Sequence, residues 1–326
     1  MTIAEETQGP PAAAAPKKAK TAYDELPDAP PRQKFRLSTT GKIATAVVAF
    51  WVFIAFAGPY IAPYLENEYM EDVLSEDKYD SFTYMKPNED VWLGTDSQGW
   101  DVLSRVLWGA RTTIGISFVA TMLAYLVGIT LGIAAAVAGG WTDTILSRIV
   151  DAILTFPNIM LGLVVIAGFS PYIRDFWDAV FVLVALAGFV YAASVYRIAR
   201  ALGQDIMVQD FVEAAKARGE GIWWIITKEI LPNAAMPLAT DFGLRLVFVI
   251  LFVTSLSFLG LGVQPPASEW GSMVRESLTG MYFGVGGNVF ATLAPAFAIA
   301  SVTIAINLIV DDVSAHAGGS LAKKMV

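Results

Sequence analysis

The hydrophobic residues of this chain are gathered into long blocks, without the alternation of a strand or the spacing of a half-buried helix. An uncharged stretch of about 20 residues is long enough to cross the hydrocarbon core of a bilayer, which is about 30 Å thick. Six stretches without charged residues or histidine reach or approach this length: 43–65, 112–142, 152–173, 179–196, 246–268 and 289–310. The pattern predicts an all-α integral membrane protein with six transmembrane helices.

The last uncharged block begins earlier, at residue 277, and is too long for one span. Its first part contains Gly280, Gly284, Gly286 and Gly287, which favours a loop. Residues 289–310 are therefore the predicted sixth helix.

The distribution of basic residues predicts the orientation of these helices, because cytoplasmic loops carry an excess of Lys and Arg. Sixteen of the 22 lysines and arginines lie in one alternate set of connections. That set comprises residues 1–42, 143–151, 197–245 and 311–326. We therefore expect both termini to be cytoplasmic, and the acidic segment 66–111 to be periplasmic.

Composition narrows the class of protein. Hydrophobic residues make up 55% of the 326 residues and charged residues only 16%, whereas a soluble domain averages about 25% charged residues. The net charge of −8 argues against nucleic acid as a partner. The chain has no cysteine, which excludes a disulfide framework and a thiolate zinc site. An ordinary cytosolic enzyme does not fit this composition.

The chain divides into five predicted regions. The first is rich in Pro, Ala and charge and has too little apolar surface to order itself. The regions are a disordered cytoplasmic N-terminal tail (1–35), the first transmembrane helix region (36–65), a periplasmic segment (66–111), a core with five transmembrane helices (112–310) and a cytoplasmic C-terminal tail (311–326).

Segment 197–245 is an unusually long connection that contains its own helical pattern. Residues 208–218 are good helix formers, and Gly219 and Gly221 suit a reversal of the chain. A second short helix is expected from Ile222, and we expect Pro232 to end or bend it. The segment thus predicts a helix–turn–helix beneath the membrane, for which an interfacial helix without a partner is the simpler alternative.

The spacing within this segment is specific. Glu213, Ala214 and Ala215 are followed by three residues, Gly219, twelve residues and Pro232. The pattern resembles the EAA loop of permease subunits in ATP-binding-cassette importers, whose last part reads I-x-L-P. Here Glu229 stands in place of the first Ile of that tract, and Ile230, Leu231 and Pro232 follow it.

Other stretches resemble the second permease subunit of the oligopeptide, dipeptide and nickel branch. Residues 93–105, LGTDSQGWDVLSR, are similar to the external signature L-G-T-D-x-x-G-R-D-x-x-S-R, with Trp100 in place of an arginine. Residues 148–157 and 255–270 are similar to other parts of that subunit. The resemblance covers residues from about 40 to 313.

The resemblance implies a type I importer permease fold with a cytoplasmic coupling-helix loop, located in a bacterial inner membrane. It also implies two ABC ATPase subunits, a second homologous permease and a periplasmic or extracellular substrate-binding protein. The chain has no P-loop of its own, since Gly41-Lys42 is followed by Ile43 and preceded by Arg36 where a glycine is required. ATP and Mg are therefore expected in partner subunits, with no cofactor bound by this chain.

On this resemblance, a short helix of the loop sits in a cleft of the ATPase and moves with it. Glu213 meets a basic group of the partner or caps the helix, the two alanines permit close approach, Gly219 permits the reversal and Pro232 fixes the exit. The expected coupling residues are Glu213, Ala214, Ala215, Gly219, Ile230, Leu231 and Pro232. In the external segment, Asp101 and Arg105 are expected to form a local i, i+4 helix pair.

The expected activity is ATP-driven import of di- or oligopeptides, with nickel chelates, glutathione and oligosaccharides as alternatives within the branch. No catalytic set or metal site is expected, because His316 is the only histidine and lies in the polar tail. A stand-alone secondary transporter and a membrane scaffold are the alternatives from other classes. The substrate site stays open, and the hydroxyl and amide candidates for the pore lining are equally suited to helix–helix contacts: Ser117, Thr121, Thr254, Ser255, Ser257, Ser301, Thr303 and Asn307.

Overall fold

The computed structural model describes residues 37–75, 79, 81–282 and 287–322. Across these ranges the regular backbone is helical, with two isolated β-bridges and no strand. The all-α prediction is therefore confirmed for the described part of the chain. The predicted N-terminal tail, residues 1–35, lies outside the described residues.

The helices follow one another with short connections, except for the external segment between the second and the third. Their bounds are α1 (Thr39–Ile61), α2 (Met70–Val73), α3 (Val102–Ala138), α4 (Gly140–Leu154), α5 (Asn158–Phe169), α6 (Phe176–Met207), α7 (Asp210–Ala217), α8 (Ile222–Trp224), α9 (Leu231–Phe258), α10 (Trp270–Tyr282) and α11 (Val289–Ala322). A 3₁₀ turn, Ser170–Tyr172, follows α5, and a π-helical segment, Ile225–Ile230, joins α8 to α9.

Five described helical segments are long and apolar enough to cross a membrane: Thr39–Ile61, Val102–Ala138, Phe176–Met207, Ile222–Phe258 and Val289–Ala315. A sixth candidate is the bent pair formed by α4 and α5 with the turn after it, whose two parts meet at 88°. The described residues thus contain five candidate spans, or six if the bent pair is one span.

The predicted third span, residues 152–173, is not one straight helix. Pro157 has no N–H to donate and disfavours a helical conformation in the residue before it, so α4 ends at Leu154 and α5 begins at Asn158. Upstream, Gly139 and Gly140 have φ of +59° and +54°, which end α3 well inside the predicted block 112–142. The run of apolar residues alone does not predict either break in the helix.

Other helix boundaries also differ from the predicted spans, because charged residues lie within helices. Helix α3 begins at Val102, inside the segment predicted as periplasmic, and α6 continues to Met207, inside the predicted loop 197–245. Helix α9 begins upstream of residue 246 and carries Asp241 and Arg245, which pair through Oδ2 and Nε at 3.2 Å. Paired charges can lie inside a helix, so an uncharged-run criterion misplaces its ends.

Of the two outcomes expected at Pro232, an end or a bend of the helix, the end is not observed, because the chain stays helical from Ile222 to Phe258. Pro232 lies in the first turn of α9, where its missing N–H is not needed. Just before it the backbone widens into the π-helical segment, whose last bond runs from Leu231 N–H to the Ile226 carbonyl. This wide turn accommodates the proline.

Two further sequence expectations need correction. Gly280 lies within α10, not in a loop, while residues 283–286 are outside the described residues. Helix α11 extends to Ala322, so the predicted C-terminal tail is helical over residues 311–322.

The bundle is held by close contact between α3 and α6. A Cβ added at Gly128 would lie 2.6 Å from the Val195 Cβ, and one at Gly132 would lie 2.7 Å from the Tyr196 carbonyl oxygen. Small residues at such positions let two helices approach closely where the surrounding lipid gives little hydrophobic drive for association. The closely packed α3–α6 pair therefore lies between the loop at one end and the segment before α3 at the other.

Candidate functional site

Helix α7 is held against its own chain by one apolar face. Val212 and Ala215 are fully buried and pack in one cluster with Ile133 of α3 and with Ile225 and Ile230 of the π-helical segment. Helix α7 has only eight residues, too few to be stable in isolation. Its position is therefore set by this apolar cluster.

The opposite face of α7 points away from the protein. Glu213 and Ala214 are exposed, and within the described residues the Glu213 side chain has no hydrogen bond or ion pair. Ala215 is buried within this chain. The two alanines of the E-A-A triplet therefore have different environments: Ala214 is available to a partner, and Ala215 fits α7 onto α3.

Gly219 completes the end of α7. Its φ is +84°, its N–H donates to the Lys216 carbonyl at 2.9 Å, and the Glu220 N–H donates to the Ala215 carbonyl at 3.2 Å. These two bonds form a Schellman motif, which needs a left-handed residue at this position and therefore favours glycine. The sequence interpretation of Gly219 as a reversal point is in agreement with this geometry.

Arg218 makes two side-chain contacts across the same turn. Its Nε lies 3.8 Å from Glu220 Oε1, and its guanidinium lies 5.6 Å from the ring centre of Trp224. Both contacts are partly exposed and each is weak. Together they favour one arrangement of the turn relative to α8.

The last three predicted coupling residues lie behind this turn. Ile230 is fully buried in the apolar cluster, Leu231 is half-buried beside it, and Pro232 is exposed. Ile230 and Leu231 therefore support α7 from within the chain. Of the seven predicted residues, Ala215, Ile230 and Leu231 share the apolar cluster, and Glu213, Ala214, Gly219 and Pro232 are exposed.

A separate group of charged residues lies at the opposite end of α3. The predicted pair between Asp101 and Arg105 is wrong. Asp101 caps α3 by accepting a bond from the Ser104 N–H at 2.8 Å, because the first N–H groups of a helix need an acceptor. Arg105, 1% exposed, instead donates through one nitrogen to Asp96 at 2.5 Å and to Glu276 at 3.0 Å.

Trp100 supports this arginine. Its side chain is buried and its ring centre lies 4.6 Å from the Arg105 guanidinium carbon. An aromatic face stabilises a buried cation. The tryptophan that departs from the external signature therefore takes part in the buried cluster.

The carboxyl groups of this cluster have unusual environments. Burial raises the pKa of Glu276, although Arg105 beside it acts in the opposite direction. Burial also raises the pKa of Glu269, which is fully buried before α10 and accepts bonds from the Ser272 N–H at 2.9 Å and the Thr113 hydroxyl at 3.3 Å. Asp96, Arg105 and Glu276 form what we call the outer cluster.

The pore-lining candidates separate into two groups. Thr254, Ser255 and Thr303 line an apolar cavity of about 700 Å³ between α9, α10 and α11. Ser117, Thr121 and Ser257 are buried in the bundle, and Ser301 accepts a bond from the Trp51 indole at 2.8 Å. Asn307 is half-buried on α11.

Sequence reasoning missed the outer cluster as a unit. Its signal was present, since Asp96 and Arg105 lie in the L-G-T-D signature, but Glu276 lies 171 residues away from Arg105. It also missed Arg200 on α6, which donates through two nitrogens to Asp143 of α4. Long-range pairs of this kind leave no local pattern.

Comparison with known proteins places the chain in a family. Residues 128–316 match the model of the family described as "Binding-protein-dependent transport system inner membrane component". The chain is 33% identical over 265 residues to the glutathione transport system permease protein GsiD of Pectobacterium atrosepticum, covering 81% of each chain. It is 30% identical over 285 residues to the dipeptide transport system permease protein DppC of Alkalihalophilus pseudofirmus, covering 86% of this chain and 87% of that protein.

One solved structure has a similar fold. A chain of the inward-facing MetNI methionine ABC transporter aligns with a TM-score of 0.50 at 19% identity, covering 64% of this chain and 95% of that one. This similarity concerns the fold alone, and it agrees with the predicted importer permease architecture. From the family match and the relatives together, the chain belongs to the family of binding-protein-dependent transport system inner membrane components.

Proposed function

We propose that this chain is the permease subunit of an ATP-driven importer of di- and oligopeptides and forms half of its translocation pore. The relatives named for dipeptide and glutathione transport support a peptide-like substrate. Glutathione, itself a tripeptide, is the second candidate because the GsiD relative is the more similar of the two. Two ABC ATPase subunits, a second homologous permease and an external binding protein complete the machine in a bacterial inner membrane.

The observation that carries this proposal is the geometry of α7. A helix that presents Glu213 and Ala214 outward, while Val212 and Ala215 fix it to α3, is suited to enter a groove of another protein. The ATPases bind ATP and Mg, and their closure carries α7 with it. Because α7 is joined to the α3–α6 pair through the apolar cluster, that movement opens the pore alternately to the two sides.

Partner capture tests the coupling step. The full-length tagged chain is purified from its native host in mild detergent, and the proteins that accompany it are identified by mass spectrometry. We expect P-loop ATPases and a second permease with the wild-type chain. Glu213→Lys reverses the exposed charge of α7 and is expected to reduce ATPase recovery about tenfold, since a charge pair at an interface contributes roughly 1.4 kcal/mol or more.

A matched control separates coupling from general damage. Glu71→Lys makes the same charge change on the exposed surface of α2, remote from α7 along the chain, and is expected to leave ATPase recovery unchanged. Purification of the wild-type chain alone, repeated under gentle conditions, would overturn the proposal in favour of a stand-alone secondary transporter. Uptake of labelled dipeptide against labelled glutathione by cells with and without the chain then decides between the two substrates.

A further inference from the structure

A polar cavity of about 500 Å³ lies between α4 and α6, at the end of the bundle that leads into α7. The coupling role does not use it. Its walls carry three arginines, two aspartates and several hydroxyl groups. The side chains that matter here are Asp143, Ser147, Arg148, Tyr196, Arg197 and Arg200.

The three arginines are not equivalent. Arg200 is held by Asp143, to which it donates through Nε and through Nη2, the latter at 2.6 Å. Arg148 and Arg197 are exposed to the cavity, and neither has an ion pair or hydrogen bond among the described residues. The remaining carboxylate, Asp151, is exposed at the cavity wall and does not balance two free guanidinium groups.

Hydroxyl groups complete the polar wall. The Ser147 hydroxyl of α4 and the Tyr196 hydroxyl of α6 lie 2.9 Å apart at the cavity wall, each next in sequence to an unpaired arginine. A cavity with free guanidinium groups and nearby hydroxyls is suited to the oxygens of a phosphate group, which arginine can bind through two parallel bonds.

The depth of the cavity is set by the sequence of α6. Residues 179–196 contain no charged side chain, and at 1.5 Å per residue these 18 residues span about 27 Å. That length matches the hydrocarbon core of a bilayer, about 30 Å. Arg197 is the first charged residue beyond it, so the cavity lies at the depth of the lipid headgroups.

Helix α4 supplies an apolar surface next to the cavity. Trp141, Ile145 and Ile149 follow one another at intervals of four residues, and their side chains are 82%, 54% and 53% exposed. Ser147, Arg148 and Asp151 of the same helix line the cavity. An amphipathic helix with a tryptophan at its start is typical of the membrane interface.

We propose that this cavity binds the phosphate headgroup of an anionic phospholipid. Arg148 and Arg197 bind the phosphate oxygens, Arg200 is held ready beside them by Asp143, and the acyl chains lie along the exposed face of α4. A basic cavity at headgroup depth, between a transmembrane helix and an interfacial helix, has the features of such a site. The apolar face of α4 favours a lipid over a free anion, because a free anion has no use for it.

Native mass spectrometry of the full-length chain in detergent tests the proposal. The chain is titrated with phosphatidylglycerol, with zwitterionic phosphatidylcholine, with inorganic phosphate and with the soluble headgroup glycerophosphoglycerol. We expect phosphatidylglycerol to bind most tightly. The double variant Arg148→Gln/Arg197→Gln is expected to weaken phosphatidylglycerol binding about 25-fold, at about fivefold for each arginine.

Both arginines are exposed, so the double variant is expected to fold. Arg174→Gln removes an arginine with an 86% exposed side chain at the other end of α6 and is the matched control, expected to bind phosphatidylglycerol as the wild type does. Unchanged binding in the double variant, equal binding of phosphatidylcholine, or equal binding of inorganic phosphate or the soluble headgroup would each overturn the lipid assignment.

Discussion

Charged residues near the two ends of helix α3 lie in opposite environments: they are buried at one end and exposed at the other. At its start, Arg105 is 1% exposed and binds Asp96 and Glu276 in the interior of the protein. Near its other end, Ile133 packs under α7, whose charged residues Asp210, Glu213 and Lys216 are all exposed. The outer cluster joins parts of this chain to one another, whereas α7 keeps its charges available to another protein.

The difference shows how a partner surface can be distinguished from a structural one. A buried ion pair costs desolvation energy that its own contacts must offset, so it needs oppositely charged partners within the chain. An exposed carboxylate such as Glu213 contributes little to folding and is free to contribute to association. Substitutions near either end of α3 test this difference.

The largest expected effect is at the outer cluster. Arg105→Met leaves Asp96 and Glu276 buried without their cation, which we expect to lower the free energy of unfolding by about 3–5 kcal/mol. Thermal unfolding of the purified chain, followed by tryptophan fluorescence, measures the change. Arg174→Met removes an exposed pair with Asp178 and is expected to cost less than about 0.5 kcal/mol; equal losses for the two variants would contradict the contrast.

A smaller effect on stability, with a larger one on function, is expected at the α7 turn. Gly219→Val forces a β-branched residue into a left-handed conformation, which costs roughly 1–2 kcal/mol. Because the strain is confined to the exposed turn, we expect normal membrane expression but loss of ATP-driven uptake. Gly221→Val is the control, since Gly221 has φ −74° and open space around it; equal uptake by the two variants would remove Gly219 from the coupling role.

The smallest expected effect is a change in pH dependence. The pKa of Glu269 is raised by burial, so the folded chain binds more protons than the unfolded chain above the usual carboxyl range. Stability therefore falls as pH rises through the raised pKa. We expect Glu269→Gln to flatten the decline of Tm as pH rises above the usual carboxyl range, while Glu71→Gln on exposed α2 follows the wild type. An unchanged profile in Glu269→Gln would show that other groups dominate.

The sequence could predict the α7 loop because its information is local. Gly219, Val212 and Ala215 lie within eight residues, and a helix followed by a left-handed glycine follows from their spacing alone. The long spans were also predictable, from uncharged length. Arg105 could not be assigned correctly, because i, i+4 spacing favours Asp101, and only the packing of α10 on α3 brings Glu276 to it.

The predicted helix boundaries were wrong for a related reason. Asp241 and Arg245 read as the edge of a membrane span, yet they neutralise each other inside α9, where the Tyr125 hydroxyl also donates to Asp241 at 2.6 Å. Pro232 read as a helix end, yet the π-helical segment before it accommodates the ring. In each case a compensating neighbour, invisible in the pattern, changed the result.

The continuity past Pro232 makes the fifth span a lever. From Ile222 to Phe258 the chain is helical over 37 residues, through the π-helical segment and past Pro237 of α9, and at 1.5 Å per residue this stretch is about 55 Å long. A tilt of about 10° at the α7 end would sweep the far end through roughly 10 Å. Phe258 and Thr254 at that far end border the apolar cavity between α9, α10 and α11. A small movement of the loop would therefore produce a larger movement of the cavity wall.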